Sequence, residues 1–307
     1  MSASHRYAIL AEGRFSPLES KTANQALRYI PEHVAAVIDR RHAGKTAQDV
    51  LGFGGAVPVV ADLTSAMTYA PTALLIGIAP MGGILPIEWR AVLLNALSHR
   101  LDLVSGLHTL LSDDPELASS AHVHGAKIVD LRRVAPAFER VATGSWRTRK
   151  SRTILTVGTD CNVGKMTASF ELHREFLRRG RASAFVATGQ TGILLAGRGI
   201  AVDSVLSDYV AGAIELELDE LSESGARYLH VEGQGSITHQ GYSAVTMGLL
   251  HGVMPDAMIL VHHPARGSDD YGFRLDDIPR SIALHEALIA PFKPSRVIGI
   301  AVNGVGM

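Results

Sequence analysis

Only one cysteine, Cys161, occurs in 307 residues. The chain therefore has no intramolecular disulfide, no cysteine-built zinc cluster and no thiol pair, and a reducing cytoplasm is its expected compartment. Charge of one sign is equally scarce in surplus: 29 Lys and Arg stand against 30 Asp and Glu, a net charge of -1. That balance removes the sequence-independent pull on a phosphate backbone, so no nucleic-acid partner is expected. No run of 18 apolar residues occurs, and the opening MSASHRYAIL has no long apolar stretch. Neither a membrane span nor secretion is expected. Internal repeats and low-complexity tracts are missing too.

What the chain does have is apolar residues, 47% against 19% charged, far from the composition of disorder. Its length suggests two domains at roughly 150 residues each. Short β-branched runs alternate with longer helical patterns from one end to the other, the pattern of parallel α/β architecture. Expected strands in the first half are Tyr7–Leu10, Ala35–Ile38, Val57–Val60, Leu74–Ile78, Leu103–Ser105 and Lys127–Val129, with a helix over Glu88–Arg100. Residues 1–137 read as a Rossmann-like α/β domain. The basic, aperiodic stretch 138–152 reads as a linker, and 153–307 as a P-loop NTPase-like parallel α/β domain. In that second half the expected strands are Thr153–Val157, Ser183–Ala187, Tyr228–Val231, Ala257–Val261 and Val297–Val302. Helices are expected over Gly164–Arg179, Asp203–Ser224 (with Asp203 as N-cap), Tyr242–His251 and Ser281–Ile289.

The strongest motif is Gly158-Thr159-Asp160-Cys161-Asn162-Val163-Gly164-Lys165-Met166-Thr167, which follows a strand and opens a helix. Glycines there let successive N–H groups and the helix amino end face one anion, and Lys165 adds a point charge. Two details separate it from the usual nucleotide loop. Five residues, one more than usual, lie between Gly158 and Gly164, and Met166 stands where a hydroxyl would ligate Mg²⁺. A thioether is a soft ligand and Mg²⁺ takes hard oxygen. Thr167 is turned ~100° further round the helix. Phosphate binding without a metal requirement is the expectation, and no metal site is assigned. The first domain has no matching fingerprint: Gly13 stands alone after the first strand, and Asp39, where a ribose-binding acid would sit, is a weak signal without the glycines.

The loop, followed by Gln190-Thr191-Gly192, Val231-Glu232-Gly233-Gln234-Gly235 and Asn303 at the last strand's end, is similar in order and spacing to dethiobiotin synthetase. That resemblance makes Asn303 an adenine-reading residue. It departs at Ala187, where the synthetase carries a catalytic lysine, and at Met166. A longer resemblance covers nearly the whole chain. The runs Asp49-Val50-Leu51-Gly52-Phe53-Gly54-Gly55, Gly77-Ile78-Ala79-Pro80-Met81-Gly82-Gly83 and Asp102-Leu103-Val104-Ser105-Gly106-Leu107-His108 resemble a two-domain P-loop family. So do Ala187-Thr188-Gly189-Gln190-Thr191-Gly192, Asp203-Ser204-Val205-Leu206-Ser207-Asp208-Tyr209 and Glu232-Gly233-Gln234-Gly235-Ser236. The family includes D-glutamate N-acetyltransferases, and its chains usually continue past the position of Met307. The resemblance implies transfer of acetyl from acetyl-CoA to the amine of D-glutamate, within D-amino-acid catabolism, in a homo-oligomer.

Such chemistry needs a base for the α-ammonium, donors for the tetrahedral oxyanion and cations for the substrate carboxylates. Candidate bases are Glu232, at a strand's end among glycines, Asp203, Asp208 and His239. Arg266, after His262-His263-Pro264, and Arg198, between two glycines, are the candidates for the carboxylates. Gln190 joins the loop as a cofactor contact. Met81-Gly82-Gly83 and Gly106-Leu107-His108 are expected along a cleft wall. A kinase or ligase using ATP or GTP, and a non-catalytic nucleotide binder, remain the alternatives.

Overall fold

Most strands in this chain are short and apolar on both faces, which only a sheet covered by helices on either side can bury. The computed structural model describes residues 5–78, 83 and 85–304; Met81 and Gly82 of the expected cleft wall lie outside them. Two compact units part between Arg133 and Val134.

The first unit runs β1 (Tyr7–Leu10), α1 (Lys21–Tyr29), β2 (Val34–Ile38), α2 (Ala47–Leu51), β3 (Val59–Val60), α3 (Leu63–Met67), β4 (Ala73–Ile76), α4 (Arg90–Ser98), β5 (Asp102–Ser105), α5 (Pro115–His124) and β6 (Ile128–Asp130). Its six strands are all parallel in the order β3-β2-β1-β4-β5-β6, the doubly wound Rossmann order. Leu74, Ile76, Leu93, Leu97 and Leu103 lead the core. The helix expected over Glu88–Arg100 opens instead as a single 3-10 turn, Ile87–Trp89, and ends at Ser98, ahead of a left-handed Arg100. Asp39 does not await a ribose. It is fully buried, accepting the Gly13 N–H at 2.7 Å and pairing with His42 Nδ1 at 2.5 Å.

The second unit runs β7 (Arg152–Gly158), α6 (Lys165–Arg178), β8 (Ser183–Val186), α7 (Gln190–Ala196), α8 (Val210–Glu223), β9 (Tyr228–Val231), α9 (Ser243–Val253), β10 (Ala257–His262), α10 (Ile278–Ile289) and β11 (Arg296–Val302). Five parallel strands lie in the order β11-β10-β7-β9-β8, so β7 is central and the phosphate loop leaves the middle of the sheet's carboxyl edge. Residues 138–152, expected as a linker, are part of this unit. Glu215 of α8, almost wholly buried, accepts the N–H groups of Thr143 at 2.6 Å and Ser145 at 2.7 Å, and Arg149 pairs with Asp219.

One long helix is corrected. The chain from Asp203 does not enter a helix there, because the N–H groups of Ile200 and Val202 are spent on the carbonyls of Ala187 and Thr188, which holds the segment extended against the end of β8. Asp203 sits in a 3-10 turn, Val202–Ser204, and Asp208 in another, Ser207–Tyr209; α8 starts only at Val210. Asp203 is therefore not the N-cap of α8, a place that Tyr209 takes.

Beneath α6, His230 of β9 is 1% exposed, with no partner on either ring nitrogen among the described residues. Phe176 packs on it at 4.5 Å and His173 at 6.4 Å. Burial first, and His173 second, pull its pKa from 6.5 to about 4. The folded state thus prefers the neutral ring: its stability is complete above pH 6.5 and is lost as pH falls toward 4. The shift corresponds to about 3 kcal/mol. His230→Leu is expected to flatten the pH dependence of this unit's stability between pH 6.5 and 4, measured by denaturant unfolding. An unchanged acid limb would show that other groups carry it.

Candidate functional site

The end of β7 and the turn that follows are held by side chains buried beneath them. Thr156 donates its hydroxyl to the Lys165 carbonyl at 3.1 Å and accepts the Gly233 N–H at 3.0 Å, so it links the loop to the end of β9. A Cβ on Gly233 would stand 1.7 Å from the Thr156 carbonyl oxygen, so only glycine allows this approach. Thr159 gives its N–H to the Val261 carbonyl and pairs its hydroxyl with His262 Nδ1 at 3.1 Å. The turn itself passes through left-handed backbone at Asn162 (φ 55°) and Gly164 (φ 109°) before α6 begins at Lys165. Asparagine and glycine are the residues that tolerate this region. The first N–H groups of α6 then face outward from the sheet edge, where the helix dipole adds partial positive charge.

Lys165 is almost wholly buried and lays its ammonium on the Asp160 carbonyl at 2.7 Å. Val163 and Met166 are buried, Thr167 is half-buried, and Met166 offers no hydroxyl to the loop. Burial pushes the Cys161 thiol up to about 11, with Lys165 only partly opposing it. A thiol so protonated is no nucleophile at neutral pH. Asp160, fully buried, accepts the Cys161 N–H at 2.7 Å through one oxygen and meets Arg266 Nε at 2.6 Å through the other.

Glu232, the first residue after β9, is 4% exposed and points at the amino end of α7. Its Oε2 accepts the N–H groups of Thr188 at 3.1 Å and Gly189 at 3.3 Å, and its Oε1 accepts Gln234 Nε2 at 3.1 Å. Thr188 returns its hydroxyl to the Glu232 carbonyl at 2.7 Å. The carboxylate thus ties the carboxyl ends of β8 and β9 together. Gln190 is the first residue of α7 and is buried beside this knot.

His239, expected as a base candidate, is 2% exposed, in the loop between β9 and α9. Its Nδ1 accepts the Gly241 N–H at 3.2 Å. Tyr242 and Tyr271 pack on the ring at 4.9 and 5.2 Å. Asp160, Cys161 and His239 present ligand-type atoms within 4.8 Å of one another. Arg266 already pairs with the Asp160 carboxylate and the Cys161 thiol keeps its proton, so two of the three would first have to give these up to hold a cation.

Both arginines expected to meet substrate carboxylates are already paired within the chain. Arg198 forms a fork with Glu217 at 2.7 and 3.0 Å and reaches Glu220 at 3.0 Å. Glu217 is 2% exposed, and stripping its partner would leave a buried charge, a cost of about 3–5 kcal/mol. Arg266 spans Asp160 and Asp270 at 2.6 and 2.5 Å. In this position it neutralises an acid inside the phosphate loop. Asn303 lies beside the same loop, donating Nδ2 to the Val163 carbonyl at 3.1 Å.

The carboxyl edge of the sheet therefore reads, from one side to the other, Asn303 after β11, Arg266 and Tyr271 after β10, the loop after β7, Glu232 and His239 after β9, and Asp203 beyond β8. Sequence reasoning did not single out Thr156, Thr188, Gln234 or Tyr271. Gln234 and Thr188 fall inside the quoted motifs, whereas Tyr271 carries no local signal.

Residues 140–307 match a family described as a domain of unknown function (DUF1611_C), P-loop domain, and residues 40–134 match its Rossmann-like partner domain (DUF1611_N). A D-glutamate N-acetyltransferase of Tritonibacter scottomollicae is 41% identical over 78% of this chain and 72% of its own length. Another, from a Pseudoalteromonas species, is 37% identical over 75% of this chain and 68% of its own. The crystal structure of a DUF1611 family protein from Anabaena variabilis, 38% identical, superposes with a TM-score of 0.93 over 99% of this chain and 89% of its own. With the Rossmann and P-loop sheets both in place, the chain belongs to the two-domain DUF1611 family.

Proposed function

We propose that the chain transfers the acetyl group of acetyl-CoA to the α-amine of D-glutamate, with the phosphate loop holding the CoA diphosphate and the Asn303 side of the loop taking adenine. One observation carries the reading. The loop keeps the anion cradle and Lys165 of a nucleotide site while Met166 replaces the magnesium-ligating hydroxyl, which suits a phosphate that is held and not transferred. The names of the relatives support the reaction and supply the substrate.

The length of CoA constrains the rest. Extended, its pantetheine arm advances about 1.2 Å per bond and places the thioester roughly 15 Å from the diphosphate. Glu232 is too close: its neighbour Gly233 would place a Cβ 3.0 Å from Lys165 Cδ. Its carboxylate is moreover committed to the Thr188 and Gly189 N–H groups. We assign it a positioning role. Asp203 is exposed and is held to the end of β8 by the Val202 N–H on Thr188. β8 lies two strands from β7, about 10 Å at the usual spacing. It is our choice of base. Asp203 takes one proton from the ammonium; the amine attacks the thioester carbonyl, the C–S bond breaks, and the second proton that the new amide nitrogen sheds ends on the CoA thiolate.

The reaction is tested by thiol release from acetyl-CoA with D- and L-glutamate, run beside an ATPase assay. Transfer is expected with the D-isomer and to survive EDTA within twofold. Loss of activity on chelation, restored by Mg²⁺, would return the chain to the kinase or ligase class.

A further inference from the structure

We propose that His239, with Tyr242 and Tyr271, forms the subsite for the first part of the CoA pantetheine arm, an inference that rests on the reading of the phosphate loop just given. A backbone amide can only donate, so the Gly241 N–H fixes Nδ1 of His239 as a lone pair. In the neutral ring the proton is then on Nε2. That nitrogen is buried and has no partner among the described residues. A buried N–H of this kind is costly unless an acceptor arrives. Nε2–H has no lone pair, so His239 is a donor and not the general base expected from the sequence.

The surroundings specify the acceptor. A ring nitrogen of His239 lies within 4.8 Å of the Cys161 sulfur and an Asp160 carboxylate oxygen, so the imidazole flanks the phosphate loop itself. It is therefore too near the diphosphate to meet the thioester. Tyr242 and Tyr271 pack on the imidazole while remaining 45% and 59% exposed, giving the donor an aromatic mouth. Gly241 lies close under Tyr271: a Cβ there would stand 2.7 Å from its hydroxyl, which would have to shift. Directly beyond its diphosphate, CoA carries a carbon bearing two methyl groups, then a hydroxyl and an amide carbonyl, all within about 6 Å of the phosphate. Methyls against aromatic faces and one oxygen on one N–H is the chemistry this corner offers. Asn303 flanks the loop at Val163, and His239 flanks it at Asp160 and Cys161. The two ends of the ligand thus have separate exits. The His239 side leads over β9 toward Asp203.

Calorimetric titration with CoA and with adenosine 3′-phosphate 5′-diphosphate, which lacks the arm, tests this. Wild type is expected to bind CoA more tightly than the truncated nucleotide. His239→Ala should weaken CoA about 5- to 30-fold and leave the truncated nucleotide within twofold, which also shows that the variant is folded. His239→Gln, keeping an N–H near the Nε2 position, should recover part of the loss. Tyr271→Leu should give the same selective weakening. Equal weakening of both ligands would place His239 on the phosphates and overturn the proposal, as would no change in either. If wild type binds neither ligand, the phosphate-loop reading itself fails and this inference falls with it.

Discussion

Asp203→Asn is expected to lower kcat for acetyl transfer by about 10²–10⁴-fold, the usual worth of a general base, with KM for acetyl-CoA changed less than threefold. The argument is one of reach. A diphosphate seated at the amino end of α6 sends its thioester roughly 15 Å away, past the groups packed around the loop. Among the acids named from sequence, Glu232 is spent beneath the loop on backbone N–H groups. Asp203 is exposed beyond β8, at the far side of the edge that the arm would cross. Asn keeps the shape and removes the basicity, so a folded, CoA-binding, inactive variant is the expected product. Glu232→Gln is the contrasting case. It replaces an acceptor of the Thr188 and Gly189 N–H groups and should cost stability, with kcat falling less than tenfold. Should Asp203→Asn retain more than a third of wild-type turnover, the role passes to Asp208, in the next 3-10 turn.

Much of the scaffold is legible because strand and helix periodicities are local. All-parallel sheets follow from apolar runs separated by helical patterns, and the phosphate loop follows from a strand, a glycine turn and Gly164-Lys165. Even α5, which the periodicity alone does not mark, carries its own signals: Asp114 caps it, Pro115 opens it and left-handed Gly125 closes it. What fails is what depends on partners far along the chain. Arg198 looks like a ligand arginine between two glycines, and nothing local announces that Glu217 will be buried against it. Asp203 looks like an N-cap because no sequence pattern reveals that Ile200 and Val202 will be bonded to the end of β8. Glu232 stands at the right edge for chemistry, yet its distant Thr188 and Gly189 partners commit it to structure. His239 reads from the sequence as a candidate base, until the fold buries it against two tyrosines and bonds its Nδ1 to the Gly241 N–H. Charged and polar groups are thus read correctly for location and poorly for occupation.

Lys165→Met is expected to weaken CoA binding by about 10- to 150-fold, equivalent to about 1.5–3 kcal/mol for a charge-assisted contact to phosphate. Methionine keeps the buried stem against Gly233 and removes both the buried ammonium and its bond to the Asp160 carbonyl, so the variant should remain folded, which denaturant unfolding checks. The backbone link from Thr156 to the residue 165 carbonyl also survives the change. Turnover is the more telling readout. If the loop only anchors the diphosphate, the ammonium is far from the thioester, and kcat at saturating acetyl-CoA should stay within about threefold while KM rises with Kd. A kinase or ligase would behave otherwise, because its loop lysine stabilises charge on the phosphoryl group being transferred and its loss lowers kcat itself. Titration calorimetry and steady-state kinetics on one variant therefore separate the two chemistries. An unchanged Kd for CoA would remove the diphosphate from the loop. A collapse of kcat at saturation would instead make Lys165 part of the reacting centre, and the amine would then have to meet the acetyl group within a few ångströms of Gly164.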